Sequence, residues 1–156
     1  MKEKIAIYPG SFDPITNGHL DILSRALNAF DKIIILVAVN PYKKSRFSYQ
    51  DRVAMIKEAV KGFANVEVDY YDGLTVNYAK SHGAHYLIRG LRAVTDFEYE
   101  FQLAATNQYV SSEIDSVFFM ARGENANIAS SMIMELHANG VDVSNLVPPA
   151  VLKYLK

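Results

Sequence analysis

Polar residues that could bind phosphate follow the first predicted strand. Residues 8–19 read Tyr-Pro-Gly-Ser-Phe-Asp-Pro-Ile-Thr-Asn-Gly-His, and His19 falls in the first turn of a predicted helix. A helix N-terminus offers free N–H groups and about half a positive charge, which attract anions. The dinucleotide fingerprint and the P-loop pattern are both absent. The segment predicts a phosphate site of another type. The alternative is that Pro-Gly and Asp-Pro only mark turns and that His19 is solvated.

A basic loop follows the second predicted strand. Its cations are Lys43, Lys44 and Arg46. Such a loop can hold a phosphate, although a solvated basic loop would have the same composition. Its place after a strand, at the same sheet edge as His19, favours the phosphate interpretation.

Two arginines follow the fourth predicted strand. Arg89 ends a buried strand, where an unpaired charge is costly, so it needs an anionic partner. Arginine forks bind phosphate oxygens in pairs, and Arg92 lies close by in the sequence. The partner of Arg89 could equally be internal, and the next helix offers three carboxylates: Asp96, Glu98 and Glu100.

Small polar residues precede the helix that follows the fifth predicted strand. Residues 125–131 read Asn-Ala-Asn-Ile-Ala-Ser-Ser. Small residues at a helix N-terminus leave its N–H groups open to an anion or a nucleotide. Serine at such a position is otherwise most often a helix cap. This segment is therefore the fourth candidate cluster.

The elements that must position these clusters alternate between strand and helix. Hydrophobic spacing predicts strands at 4–8, 32–39, 66–70, 85–89 and 114–120. It predicts helices at 18–30, from the Ser48 cap to Gly62, at 74–82, from the Thr95 capping box onward, at 127–138 and after Pro148. In the helix after Thr95, the side chains expected to face inward are those of Phe97, Phe101, Ala104 and Ala105.

Strict alternation predicts an α/β fold. We expect a Rossmann-like, doubly wound, five-stranded parallel sheet with helices on both faces, in a single domain spanning 1–156. Such sheets bind ligands beyond the carboxyl ends of their strands, near the point where the strand order reverses. The candidate clusters follow strands, so we expect them to meet there.

The composition excludes several classes of protein. The 156 residues include no cysteine, which rules out a disulfide scaffold, a thiol nucleophile and cysteine-ligated zinc. A net charge of −1 gives no basic excess for nucleic acid. The longest apolar run, 33–39, is far shorter than the about 20 residues of a membrane span, and no secretory signal pattern is visible. We expect a cytoplasmic protein with no nucleic-acid or membrane partner and no fixed metal site.

The motifs resemble one family of enzymes. Thr-Asn-Gly-His at 16–19 is similar to the T/H-x-G-H element of a nucleotidyltransferase superfamily, whose histidines donate to nucleotide phosphates. Residues 8–19 and the block Leu-Ile-Arg-Gly-Leu-Arg-Ala-Val-Thr-Asp-Phe-Glu-Tyr-Glu at 87–100 resemble the bacterial phosphopantetheine adenylyltransferases. The resemblance, which covers nearly the whole chain, implies adenylyl transfer from ATP to 4′-phosphopantetheine, giving dephospho-coenzyme A and pyrophosphate. The attacking phosphate is already ionised near pH 7, so in-line attack needs electrostatic stabilisation and no general base.

The resemblance also implies roles for individual residues and partners. It assigns catalysis to His19, Lys43 and Ser11. It assigns phosphopantetheine binding to Ser11, Lys43, Thr75 and Arg89. It assigns ATP binding to Ser11, Phe12, His19, Gly90, Leu91, Arg92, Glu100, Ile128, Ser130 and Ser131. It further implies Mg²⁺ arriving with ATP, coenzyme A as a feedback inhibitor, and a homohexamer built as a dimer of trimers.

The fourth cluster departs from the family pattern. Asn125 stands where the family has an aromatic residue, and Ala126 and Ala129 stand where it has serines. Backbone contacts to ATP would survive these changes, whereas side-chain contacts would be lost. Two alternatives stay open: a related cytidylyl or nicotinamide-mononucleotide adenylyl transferase, and a nucleotide-binding sensor without catalysis.

Overall fold

Strands and helices alternate along the chain, as the sequence predicts. The computed structural model describes residues 2–92, 94–123 and 128–155, with the backbone alone for 94 and 95. The strands are β1 (Ile5–Gly10), β2 (Lys32–Ala38), β3 (Val66–Tyr71), β4 (Tyr86–Leu91) and β5 (Asp115–Met120). The helices are α1 (Asn17–Ala26), α2 (Tyr49–Val60), α3 (Thr75–Ser81), α4 (Val94–Val110), α5 (Ser130–Ala138) and α6 (Pro149–Leu152). Within the described ranges, no helix is long and apolar enough to cross a membrane.

The five strands form one parallel sheet in the order β3-β2-β1-β4-β5. The chain builds outward from β1 to β3 and then returns to the other side of β1 to form β4 and β5. The strand order therefore reverses between β1 and β4. Loops that leave two such strands diverge and open a crevice between them, where ligands bind. The predicted doubly wound sheet is confirmed.

The sheet carries a hydrophobic core on each face. Strand β2 is apolar on both sides, and its alternate residues face opposite layers of helices. Ile33 and Ile35 pack into the core that includes residues of α1, α2 and α5. Ile34 and Leu36 pack into a second core with residues of α3. Helices thus cover both faces of the sheet, as expected.

Helix boundaries follow local sequence signals, with some differences from the prediction. Ser48 caps α2, because its side-chain oxygen accepts a hydrogen bond from the Asp51 N–H at 3.1 Å. Helix α1 ends at Ala26 instead of Phe30, since the chain forms a turn at 27–29, although Phe30 still packs into the core. Helix α4 begins at Val94, one residue before the predicted cap at Thr95, whose side chain lies outside the described residues. Helix α5 begins at Ser130 instead of Asn127, because 128 and 129 are not helical, and Asn127 itself lies outside the described residues.

Strands β1 and β4 run further than predicted. We expected them to end at residues 8 and 89, but they continue through Gly10 and Leu91. Each extension is paired: Pro9 and Gly10 are in register with β2, and Gly90 and Leu91 with β5. The longer strands carry both glycines to the edge of the crevice.

The predicted inward face of α4 is wrong for three of its four residues, since only Ala104 is partly buried. Phe97 and Phe101 are 46% and 62% exposed, and Ala105 is also exposed. Instead, Glu100 is buried, and the partly buried positions one and two turns further on are Leu103, Ala104 and Asn107. The physical reason is a buried ion pair between Glu100 and the sheet, which turns this face of α4 inward.

Candidate active site

A cavity of about 1020 Å³ opens at the carboxyl ends of β1 and β4. Most residues singled out in the sequence line it: Ser11, Phe12, His19, Lys43, Arg89, Gly90, Arg92, Glu100, Ile128, Ser130 and Ser131. Leu91 and Thr75 do not belong to the lining, and Thr75 is instead the first residue of α3. The fold therefore brings the described residues of all four candidate clusters to the predicted edge of the sheet.

Thr16 caps the N-terminus of α1 and fixes the orientation of His19. Its side-chain oxygen accepts from the His19 N–H at 3.3 Å, and its own N–H donates to Nδ1 of the His19 ring at 2.9 Å. This is a reciprocal capping box in which histidine replaces the usual glutamate or glutamine. Because Nδ1 accepts a hydrogen bond, the proton of the neutral ring lies on Nε2. Thr16 belongs to the Thr-Asn-Gly-His motif, but its role as helix cap was not predicted, because histidine at the third helical position is an unusual variant of the box.

The His19 ring is neutral at physiological pH. Burial, and then the positive charge of Arg92, lowers the pKa of His19 from 6.5 to about 4. The Phe12 ring contributes to this burial, because it packs edge-on against the imidazole with 4.9 Å between centroids. Phe12 has a φ of 46°, a left-handed conformation that costs a residue with a side chain about 1–2 kcal/mol. The loop after β1 thus holds a neutral Nε2–H donor in a preset position.

Arg89 has an internal partner. Its Nε and Nη2 donate to the two carboxylate oxygens of Glu100 at 2.8 Å and 2.7 Å, and its Nη1 donates to the Pro9 carbonyl at 3.4 Å. Glu100 is only 6% exposed. Of the three carboxylates that the sequence left open, Glu100 is therefore the partner. The pair fixes the Arg89 guanidinium at the wall of the cavity, where its remaining N–H groups can meet an anion.

Arg92, the residue that follows β4, lines the same cavity as Arg89. Arg92 forms an ion pair with Asp96, with 3.4 Å between Nε and Oδ2, and its backbone N–H donates to the same oxygen at 3.2 Å. Arg92 is exposed, so this surface pair is easily exchanged for a ligand. Gly90 lies directly under α1: a Cβ there would be 2.5 Å from Cδ1 of Ile22. Glycine therefore permits the close approach of α1 to β4.

The N-terminus of α5 closes the cavity on the side of the fourth cluster. Ala129 is the N-cap of α5 and makes no side-chain hydrogen bond to the helix. The Ser130 hydroxyl donates to the Pro14 carbonyl at 2.8 Å, which ties α5 to the loop after β1. The departure at Ala129 therefore leaves the first N–H groups of α5 without a side-chain cap. Asn125 and Ala126 lie outside the described residues.

Two buried charged residues at the cavity were not predicted from the sequence. Asp13 and Arg52 are 7% and 5% exposed. Asp13 accepts hydrogen bonds from the backbone of the basic loop, and Arg52 donates to the backbone of the loop after β1. Asp-Pro had indicated only a turn, and Arg52 is one polar residue in an ordinary amphipathic helix. The sequence therefore carried no local signal for either role.

The ionisable groups that line the cavity are mainly cationic hydrogen-bond donors and not a set of metal ligands, among the residues that the structure describes. In the part of the chain that the structure describes, no group of three or more His, Cys, Asp and Glu side chains could hold a metal ion. The lining instead combines Lys43, Arg89 and Arg92 with the N-terminus of α1 and the Nε2–H of His19. Such an arrangement binds polyanions and stabilises negative charge that develops on a phosphate.

Comparison with known proteins identifies relatives that match nearly the whole chain. Residues 7–136 match the sequence model of the cytidylyltransferase-like family. A phosphopantetheine adenylyltransferase from Geotalea daltonii is 49% identical over 155 residues, covering 99% of this chain and 96% of the relative. Those from Campylobacter concisus and Caldanaerobacter subterraneus subsp. tengcongensis are 49% identical over 154 residues and 46% identical over 152 residues. These two matches cover 99% and 97% of this chain, and 99% and 95% of the relatives.

A solved structure shares the fold at much lower identity. It comes from Vibrio parahaemolyticus and is assigned as a nicotinate-nucleotide adenylyltransferase. It superposes with a TM-score of 0.72 at 19% identity, covering 99% of both chains. This similarity concerns the fold alone.

Proposed function

We propose that this chain transfers the adenylyl group of ATP to 4′-phosphopantetheine. It belongs to the phosphopantetheine adenylyltransferases, within the cytidylyltransferase-like family. The products are dephospho-coenzyme A and pyrophosphate. The observation that carries the proposal is the neutral His19 at the start of α1, in a cavity that also collects Lys43 and Arg89. This arrangement suits the stabilisation of charge on a phosphate that is being transferred.

His19 acts as a hydrogen-bond donor in this mechanism. A ring with a pKa of about 4 is unprotonated at pH 7, and Thr16 occupies Nδ1, so Nε2–H is the free donor. We assign this donor to an oxygen of the ATP α-phosphate, where negative charge grows in the pentacoordinate transition state. A neutral donor stabilises that charge without giving up its proton. The N–H groups of α1 add to the same field.

The acceptor phosphate needs no general base. Its second pKa of about 6 leaves it ionised at pH 7, so its oxygen attacks the α-phosphorus directly and pyrophosphate leaves on the opposite side. Ser11 orients the attacking phosphate, Arg89 anchors it, and Lys43 bridges it to the α-phosphate. Catalysis then consists of positioning and electrostatic stabilisation. Thr75, which lies outside the cavity lining, contacts the far end of the pantetheine arm in this mechanism.

The remaining functional residues of the cavity bind ATP in this mechanism. N–H groups and cations for the nucleotide come from Phe12, from the Gly90–Arg92 stretch at the end of β4, and from Ile128, Ser130 and Ser131 around the uncapped N-terminus of α5. Glu100 is committed to Arg89 through both oxygens, so any contact with the ribose uses its remaining lone pairs. Mg²⁺ enters as MgATP, because it binds mainly through phosphate oxygens and water.

Assembly, regulation and location complete the proposal. Aromatic side chains of α4 are left exposed: Phe97, Tyr99, Phe101 and Tyr109 are 46%, 64%, 62% and 92% exposed. Apolar surface of this kind supports association of identical chains, and we propose a homohexamer arranged as a dimer of trimers.

Coenzyme A, which contains the product, competes for the same cavity. We propose a cytoplasmic enzyme of one domain, without nucleic-acid or membrane partners.

Phosphorus NMR tests the reaction and its acceptor together. The protein is incubated with ATP, Mg²⁺ and 4′-phosphopantetheine, with each component omitted in turn and with CTP in place of ATP. We expect pyrophosphate and dephospho-coenzyme A only in the complete ATP mixture. Turnover with nicotinamide mononucleotide but not with phosphopantetheine would support a related adenylyltransferase instead. ATP binding without turnover for any acceptor would support a sensor.

A further inference from the structure

Two buried charged residues join the loops that carry Ser11 and Lys43. Asp13 lies in the loop after β1, two residues beyond Ser11, and Arg52 lies in the first turn of α2, just beyond the basic loop. Both side chains are more than nine-tenths buried. Burial of a charged group is costly unless hydrogen bonds compensate it, so the bonds that these residues make are strongly favoured over their loss.

The Asp13 carboxylate holds the far end of the basic loop. Its Oδ2 accepts from the Arg46 N–H at 2.7 Å, and its Oδ1 accepts from the Phe47 N–H at 2.9 Å. The Arg46 Nη1 donates back to the Asp13 carbonyl at 3.2 Å. The near end of the same loop is a turn in which the Lys43 N–H donates to the Asn40 carbonyl at 3.1 Å. Lys43 is therefore held between two fixed points, although its own side chain is exposed.

The Arg52 guanidinium connects the same two loops and the end of β2. Its Nη1 donates to the Ser11 carbonyl at 2.8 Å and to the Ala38 carbonyl at 3.3 Å, and its Nε donates to the Phe47 carbonyl at 3.1 Å. No carboxylate contacts it directly among these bonds, so three backbone carbonyls satisfy the buried cation. A guanidinium fork can reach three carbonyls at once, which an ammonium group cannot do with the same geometry.

We propose that Asp13 and Arg52 are positioning residues for the transfer reaction, which set the placement of Lys43 relative to Ser11. They act on the substrate only through these two residues, and the inference rests on the proposed function. Misplacement of a catalytic group by about 1 Å can cost about a hundredfold in rate. The expected signature is therefore a fall in kcat with little change in the KM for ATP, whose nucleoside end is bound elsewhere in the cavity.

The test is a double-mutant cycle on kcat between Asp13→Asn and Lys43→Ala. The asparagine keeps one carbonyl oxygen but places an NH₂ group against a backbone N–H, so the loop loses one anchor. We expect Asp13→Asn to lower kcat about tenfold to a hundredfold in the unmodified chain. In the Lys43→Ala background, the same change should cost much less, because the group that it positions is absent.

Independent losses that multiply in the double variant would overturn the inference, since they indicate a role in stability alone. Arg52→Lys, which keeps the charge but loses the fork, is the second variant if Asp13→Asn fails to fold. Asp31→Asn is the matched control, because Asp31 also accepts a backbone N–H, that of Lys4 at 2.7 Å, but at an exposed site outside the cavity lining. Its kcat should be unchanged. Absence of turnover in the unmodified chain would overturn the proposed function itself, and the inference with it.

Discussion

The neutral state of His19 predicts how the stability of the protein depends on pH. The pKa of His19 is about 4 in the folded chain and 6.5 for an unperturbed histidine. Between these values, the unfolded chain binds more protons than the folded chain, so the free energy of unfolding falls as the pH drops from 6.5 towards 4. The full pKa difference corresponds to about 3 kcal/mol. This is an upper limit, because the ring is only partly buried and solvent screens its charge.

Chemical denaturation between about pH 4 and pH 8 measures this contribution. The reference is His19→Asn, whose amide oxygen can still accept from the Thr16 N–H but which does not titrate in this range. All other titrating groups are common to both proteins. We expect the unmodified chain to lose up to about 3 kcal/mol more than the variant on acidification. Parallel stability curves would refute the argument.

The tautomer of His19 is observable directly. Long-range proton–nitrogen NMR spectra distinguish a ring protonated at Nε2 from one protonated at Nδ1, and the His19→Asn variant assigns the signal. We expect the Nε2–H form throughout the neutral range, because Nδ1 accepts from Thr16. An Nδ1–H tautomer, or a ring that titrates near its ordinary pKa, would contradict the proposed donor role.

Three further substitutions test other parts of the site. Glu100→Gln removes one of the two charge-assisted bonds to Arg89, so it should lower the free energy of unfolding by about 1.5–3 kcal/mol. It should also raise the KM for phosphopantetheine more than the KM for ATP. A change in the KM for ATP alone would contradict the proposed effect of the pair on Arg89. Gly90→Ala places a Cβ 2.5 Å from Ile22 Cδ1 and should lower the free energy of unfolding, measured by chemical denaturation, by about 1–3 kcal/mol. Combining it with Ile22→Val should restore part of this loss. If the double variant is no more stable, the contact with Ile22 is not the cause. Ala129→Ser supplies the missing cap of α5 and should raise stability by about 1 kcal/mol, seen as a higher Tm; an unchanged Tm would show that the helix start is already satisfied.

The general architecture could be predicted because it depends on local patterns. Alternating apolar runs, such as β2, and helix caps, such as Ser48, are signals contained within a few residues. Parallel strands bring their carboxyl ends to one edge, so residues that follow different strands had to meet. For this reason the sequence alone predicts that His19, Lys43 and Arg89 lie together, and the cavity lining includes all three.

The remainder depends on contacts between residues far apart in the sequence. The sequence allows three carboxylates of α4 as partners for Arg89, and the rotation of α4 in the folded chain decides that Glu100 is the partner. That rotation also turned Phe97 outward, because the ion pair and the hydrophobic spacing favoured different faces of the same helix. Asp13 and Arg52 bond to backbone atoms of distant loops, and a backbone partner leaves no trace in the sequence.

The turnover of His19→Ala tests the central claim most directly. A folded variant, with a Tm within a few degrees of the unmodified protein, is assayed for pyrophosphate release with saturating ATP, Mg²⁺ and 4′-phosphopantetheine. Loss of a preset donor to a transition-state oxygen should lower kcat by about a hundredfold to a thousandfold, while ATP still binds. A folded His19→Ala protein with near-normal kcat would contradict the assignment of the α1 N-terminus as the site of adenylyl transfer.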